Sequence, residues 1–203
     1  MRLIRSMIVA VAMTVAGVAL AAGGVRVAFP ALGISIERPA DWQVGALEDS
    51  LTVADAKKLD ETGVVEFLNR NGNRPVLSLS QHPQGFTGVN PTVRVSLRPL
   101  GTAADLDARQ LLEKALPAIL KSFPEATVKV APHEAMIGTI PAAFARIDYT
   151  LPITATGDKA SVTSDIWVVK RPGHALVIGA GYASGDQVAA EAIAAIVGTI
   201  KVD

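Results

Sequence analysis

The sequence predicts an α+β fold in which an antiparallel β-sheet is covered by α-helices. Short runs in which apolar and polar residues alternate recur along the chain, tight turns join several of them, and two longer segments switch to a helical period. Strands joined by short turns pair antiparallel, and amphipathic helices between and after them must bury their apolar stripes on the sheet. The result is a helix-covered α+β sandwich.

Residues 25–29 and 33–38 read as strands. In the second, Ile34 and Ile36 alternate with Ser35 and Glu37, and Pro39, which has no N–H to donate, ends the pairing. Asp41 and Trp42 then make a corner with Trp42 tucked against the sheet or a helix. Residues 46–61 are ambiguous. Residues 62–70 fit a short helix through Val64, Val65 and Leu68 that Asn71-Gly72-Asn73 terminates, with a hairpin through the same Asn-Gly as the competing reading. Residues 76–80 form a strand and 81–91 a long loop. Residues 92–98 form a strand with Val93, Val95 and Leu97 on one face and Arg94, Ser96 and Arg98 on the other.

The clearest helix spans 105–123. Thr102 and Asp105 form a Thr-x-x-Asp start signal, and Leu112, Ala115, Leu116, Ile119, Leu120 and Phe123 make one apolar stripe. Pro117 lies inside it and predicts a kink near Glu113, whose carbonyl loses its usual donor. Strands at 127–131, 135–139, 142–151, 161–170 and 175–182 follow, the last two joined by Arg171-Pro172-Gly173-His174. An alanine-rich helix at 186–197 and a terminal strand at 199–202 complete the chain.

The first residues address compartment. Arg2 and Arg5 precede an almost wholly apolar run at 7–18, and Ala19-Leu20-Ala21 offers small residues at alternate positions, the pattern of a secretory signal peptide cleaved after Ala21. The run is shorter than the roughly 20 residues a spanning helix needs, and Gly23-Gly24 breaks it. We therefore read residues 1–21 as a leader and 22–203 as a single domain, periplasmic or secreted, with no stable membrane span after cleavage. The chain carries 19 basic and 19 acidic residues, and loss of Arg2 and Arg5 leaves 17 basic ones. Without a concentrated basic surface, counterion release gives no grip on a phosphate backbone, so nucleic acid is not an expected partner. The chain has no cysteine, which removes disulfides, thiol catalysis, thiolate metal sites and a lipidated N-terminal cysteine.

The order of these elements, the Trp42 corner, the segments "NPTVRVSLRPL" (90–100), "IGTIPAAFARIDY" and "VVKRPGHALVIGAGYA", and the helices behind them resemble the PsbP-like superfamily, which includes bacterial DcrB-like proteins and a nuclear-transport factor that binds a small GTPase. The resemblance covers essentially the whole mature chain. It implies a helix–sheet–helix fold used for binding and assembly, and no catalytic residues to transfer.

Gly179-Ala180-Gly181 with Gly185 superficially suggests a phosphate turn, but its spacing is G-x-G-x-x-x-G and too little chain follows for the further parallel strands of a dinucleotide fold. His82, His133 and His174 form no helical ligand pair, and no G-x-S-x-G elbow exists. Pro39 to Trp42 offers one acid, Asp41, and no second titratable group, so it is a corner and not a catalytic pair. No catalytic residue, metal site or cofactor is therefore assigned. Polar strand faces give a better hint: Phe144, Arg146, Asp148 and Thr150 share one, as do Thr163, Asp165, Trp167 and Arg171. Aligned with Arg94, Ser96 and Arg98, they would form a stripe suited to a partner or small anionic ligand; the alternative is a solvent-facing side with cross-strand ion pairs. The 81–91 loop with Phe86 is a second contact candidate. The expected binding residues are thus Arg94, Arg98, Arg146, Asp148, Asp165, Trp167 and Phe86. The expected function is a noncatalytic envelope protein that binds a protein or small-molecule partner or assists assembly. The alternative is a periplasmic hydrolase or metal-dependent enzyme whose site is built from distant loops, with His82, His133 and His174 as ligands.

Overall fold

The computed structural model describes residues 24–29, 32–44, 75–123, 125–153 and 157–202. The leader expected at 1–21, the ambiguous stretch at 46–61 and the short helix or hairpin expected at 62–73 lie outside the described residues. The strands are β1 (Val25–Phe29), β2 (Ile34–Arg38), β3 (Gln43–Val44), β4 (Pro75–Ser80), β5 (Thr92–Pro99), β6 (Thr127–Ile137), β7 (Ile140–Pro152), β8 (Lys159–Arg171), β9 (His174–Ala183) and β10 (Lys201–Val202). Among the described residues two helices, α1 (Ala108–Ser122) and α2 (Gln187–Gly198), sit between β5 and β6 and between β9 and β10.

Among the described residues seven strands form one sheet in the order β3-β4-β5-β9-β8-β7-β6, and β1-β2-β10 form a second. Every pairing is antiparallel. The large sheet is two meanders joined edge to edge. After β5 the chain crosses by α1 to the far side, starts again at β6 and returns strand by strand until β9 pairs with β5, from Thr92 opposite Gly181 to Pro99 opposite His174. Helix α1 packs on β6, β7 and β8, whereas α2 packs on β2, β5 and β9.

Each face of the sheet has its own core. Val93, Val95 and Leu97 of β5, Leu176, Ile178 and Ala180 of β9, and Ile193 and Ile196 of α2 form one, together with Phe29, Ile34 and Ile36 of the small sheet. Ala143, Ala145 and Ile147 of β7, Ile166 and Val168 of β8, and Leu112 and Leu116 of α1 form the other. The alternation read in residues 92–98 is thus the observed one. Trp42 is 1% exposed in the first core, its N–H donating to the Pro39 carbonyl at 3.1 Å, and the Arg38 guanidinium donates to the Trp42 carbonyl. Asp41 is exposed on this turn.

Three expectations need correction. Helix α1 starts at Asp107, not at Thr102-Asp105. The Asp107 side chain accepts from the Gln110 N–H at 2.8 Å and the Gln110 side chain accepts from the Asp107 N–H at 3.0 Å, a reciprocal box that satisfies two orphan donors, while residues Gly101–Ala103 make a 3₁₀ turn instead. The helix continues through Pro117 as one element; Pro117 and Ala115 are exposed, so Ala115 drops out of the apolar stripe. The strands expected at 127–131 and 135–139 are one strand, β6. Pro132 does not end the strand because β6 is the outermost strand among the described residues, where a missing N–H is tolerated, and the register shifts between Val128 and Val130 and between Val130 and His133 absorb the irregularity. Residues Gly138 and Thr139 form the two-residue turn to β7, with Gly138 at φ 59°.

Leu112 is fully buried and Lys114 exposed on the same helix. Leu112→Ala is expected to cost about 2–5 kcal/mol, as large-to-small core changes do. Lys114→Ala is expected to stay within about 0.5 kcal/mol. Denaturant midpoints of the two variants check this, and equal midpoints would show that α1 does not cover the sheet.

Candidate functional site

The register decides which polar side chains can meet. Arg146 lies opposite Asp165, Asp165 opposite Ala180, and Ala180 opposite Val93, so Arg146 and Asp165 share the face of the buried Val93. Arg94, opposite Gly179, and Arg98, opposite Ala175, lie on the other face. Arg94, Ser96 and Arg98 therefore do not align with Arg146, Asp148, Asp165 and Trp167, and the continuous stripe does not form. The physical reason is the side-chain period of two, which the β5–β9 pairing places out of phase with the stripe.

On the first face, Arg146, Asp148 and Asp165 are each paired with groups of the protein itself, and Trp167 packs beside them. The Arg146 guanidinium grips the Asp165 carboxylate in a fork, Nε to Oδ1 at 2.5 Å and NH2 to Oδ2 at 2.8 Å, and the Tyr182 hydroxyl donates to Oδ2 at 3.3 Å. Asp165 is only 4% exposed, so these donors offset the cost of burying its charge. The carboxylate raises the Arg146 pKa further above its ordinary value. Thr163 donates to Asp148 Oδ1 at 2.8 Å, and Lys129 lies 3.5 Å from Asp148 Oδ2. Beside this, the Phe144 ring meets Trp167 at 5.1 Å and His133 at 5.5 Å. The acids are matched by donors from neighbouring strands, the pattern of cross-strand bracing.

On the second face, Phe86 and Arg94 come together. They line an open cleft of about 620 Å³ bounded by the 81–91 loop, the ends of β7 and β8 and Phe123 at the end of α1. Arg98 lies on the same face but does not line this cleft; it is half-buried, and burial lowers its pKa. The wall is aromatic and aliphatic: Phe123 stacks on Tyr149 at 4.2 Å between centroids, Phe86 stacks on His82 at 4.0 Å, and Val89, Leu151 and Val162 fill between them. The loop is braced from within. The Asn90 side chain accepts from the His82 N–H at 2.9 Å and donates to the His82 carbonyl at 2.8 Å, and Gln81 N–H donates to the Pro91 carbonyl at 3.0 Å.

Sequence reasoning found Phe86 and Arg94 but missed Tyr149, Phe123 and Gly181. Gly181 lies on β9 at the cleft floor, opposite Thr92, and a Cβ there would meet only the Thr92 hydroxyl at 3.7 Å. Of the glycines that superficially suggested a phosphate turn, Gly181 instead leaves bare sheet beneath the cleft. A signal for Tyr149 was present in the alternation of β7, where 143, 145, 147 and 149 share one face.

The histidines occupy separate places: His82 in the loop, His133 on β6 with Nδ1 2.9 Å from the Ala131 carbonyl, and His174 at the β8–β9 turn with Nδ1 3.1 Å from the Pro172 carbonyl. Burial lowers the His174 pKa, with the hydrogen bond to Pro172 opposing and the Arg171 charge reinforcing the shift. Among the described residues no group of three His, Cys, Asp or Glu could hold a metal ion, and no helix is long and apolar enough to cross a membrane.

No protein-family model matches the chain, and no curated protein sequence matches it. Solved structures do. The chain is similar to the cyanobacterial PsbP (CyanoP) of Synechocystis at 11% identity and a TM-score of 0.50, covering 94% of this chain and 98% of that one. It is also similar to LpqN, a protein involved in cell envelope biogenesis of Mycobacterium tuberculosis, at 16% identity, 83% coverage of each chain and a TM-score of 0.47. A mutant form of the protein Mog1 matches at 9% identity and a TM-score of 0.49, covering 89% of this chain and 96% of that one. The chain thus has a PsbP-like fold, as its sequence resemblance implied.

The chain's two tyrosines, Tyr149 and Tyr182, both resist ionisation. Burial raises Tyr182 from 10.0 to about 12, reinforced by the Asp165 charge, and burial raises Tyr149 against an opposing effect of Arg94. Unfolded tyrosine releases its proton near 10.0, before the folded protein does, so the stability from these groups is complete below pH 10 and falls as pH rises above it, the share of Tyr182 as pH passes through about 12. Unfolding measured across this window should show that fall, and Tyr182→Phe should make it shallower; an unchanged slope would remove Tyr182 as its source.

Proposed function

We propose that this protein is an exported, noncatalytic binding or assembly-accessory module of the cell envelope, and that its ligand-contacting surface is the cleft at the 81–91 loop. The cleft carries the reading. Its volume of about 620 Å³ and its aromatic lining suit a small molecule or an inserted side chain of a partner, and its wall is braced before anything binds. Arg94 is the only charged side chain among the described residues that line it. A guanidinium holds its proton throughout the physiological range and cannot act as a general base, which favours binding over catalysis at this place. Export rests on the N-terminal pattern of Arg2, Arg5, the apolar run and Ala19-Leu20-Ala21.

Native mass spectrometry of the protein purified from the envelope fraction of expressing cells tests both parts. The mature mass should begin at Ala22, and part of the population should carry a bound small molecule or partner that Phe86→Ser releases. A chain still starting at Met1 would overturn export; a bound species indifferent to Phe86→Ser would move the contact surface elsewhere.

A further inference from the structure

We propose that the cleft is a site for a single-headed anionic amphiphile: a molecule with one carboxylate-like head held by Arg94 and one aliphatic tail laid along Phe86, Phe123, Tyr149 and Leu151. This rests on the reading of the cleft as the binding surface and adds the chemistry of what it takes.

Two observations carry it. The first is charge. Arg94 projects from β5 on the cleft side, is exposed, and makes no ion pair with any described residue, while no acid lines the cleft among those residues. Arg146, by contrast, is held by Asp165 on the opposite face. A guanidinium beside apolar walls presents a planar donor fork that matches a carboxylate, and no described carboxylate of the cleft competes for it. The second is the division of the lining. Phe86 is 44% and Leu151 36% exposed, large apolar side chains turned to the opening, whereas the Phe123–Tyr149 stack and buried Val162 form the inner wall. A polar ligand would strip water from this surface without using it, and a wholly apolar one would leave the cation unused. Gly181 supplies the floor, where any longer side chain would enter the space the tail occupies. The Tyr149 hydroxyl, kept protonated by burial, adds a donor near the head.

Titration calorimetry with dodecanoate, dodecanol and dodecyltrimethylammonium, all below their micellar concentrations, separates charge from tail. Dodecanoate should bind the native protein about tenfold more tightly than dodecanol, the factor a charge-assisted hydrogen bond contributes, and dodecyltrimethylammonium should bind most weakly. Arg94→Met, which keeps an unbranched apolar stem without the charge, should bring dodecanoate down to the affinity of dodecanol while leaving dodecanol unchanged. Gly181→Leu should abolish binding of all three with the circular dichroism spectrum intact. If dodecanol binds as tightly as dodecanoate, or Arg94→Met keeps the preference, the anionic head is overturned while binding in the cleft stands. If none of the three binds the native protein, the amphiphile proposal is overturned; if the species released by Phe86→Ser is also missing, the binding reading of the cleft falls with it.

Discussion

The pairing of β5 with β9 is the constraint on which the rest of the molecule depends. Without it the β3-β4-β5 and β6-β7-β8-β9 meanders would be separate sheets, too small to bury two cores. With it, Val95 faces Ile178 and Leu97 faces Leu176, and the phase of one meander is locked to that of the other. The two helices then have fixed tasks. Helix α2 and the small sheet close the face that carries Val93, Val95 and Leu97, and α1 closes the face that carries Ala143, Ala145 and Ile147. Because side chains alternate, the same pairing sends Arg94 and Arg146 to opposite sides of the protein.

That separation gives two similar cations different environments. Arg146 is paired with a nearly buried carboxylate that is itself reached by Tyr182, so its charge is spent within the structure. Removal of Asp165 would strand the guanidinium against aromatic neighbours, Phe144 among them at 5.8 Å. Arg94 has apolar and aromatic neighbours and forms no ion pair with any described residue. The two faces thus differ in whether an arginine's charge is met by a described acid.

How much of this was legible follows from the range over which each signal acts. Period-two alternation is local, so the burial of Val93, Val95 and Leu97 and the polar run Arg146, Asp148 could be read directly. The capping box at Asp107 was equally local, but Thr102-Asp105 offered a competing signal of the same type; reciprocal hydrogen bonding at Asp107 and Gln110 decided between them. The merging of two short strands into β6 was not legible, because Pro132 ends a central strand but not an outer one, and position in the sheet is a global property. The cleft was half legible. Phe86 and Arg94 stood out by type, while Phe123 and Tyr149 were hidden among residues with ordinary core spacing, and only the β5–β9 register brings Gly181 beneath them.

The irregular edge strand has a further consequence. An open sheet exposes unpaired N–H and C=O groups along its border, and a long, regular border is a template on which other chains add strands and aggregate. In β6 the missing N–H of Pro132 and the two register shifts break that template along 11 residues. This flank, the edge of the sheet among the described residues, is therefore a poor template for added strands. Association of this protein with others should accordingly run through side chains and loops, and concentrated solutions should resist fibril formation from that border.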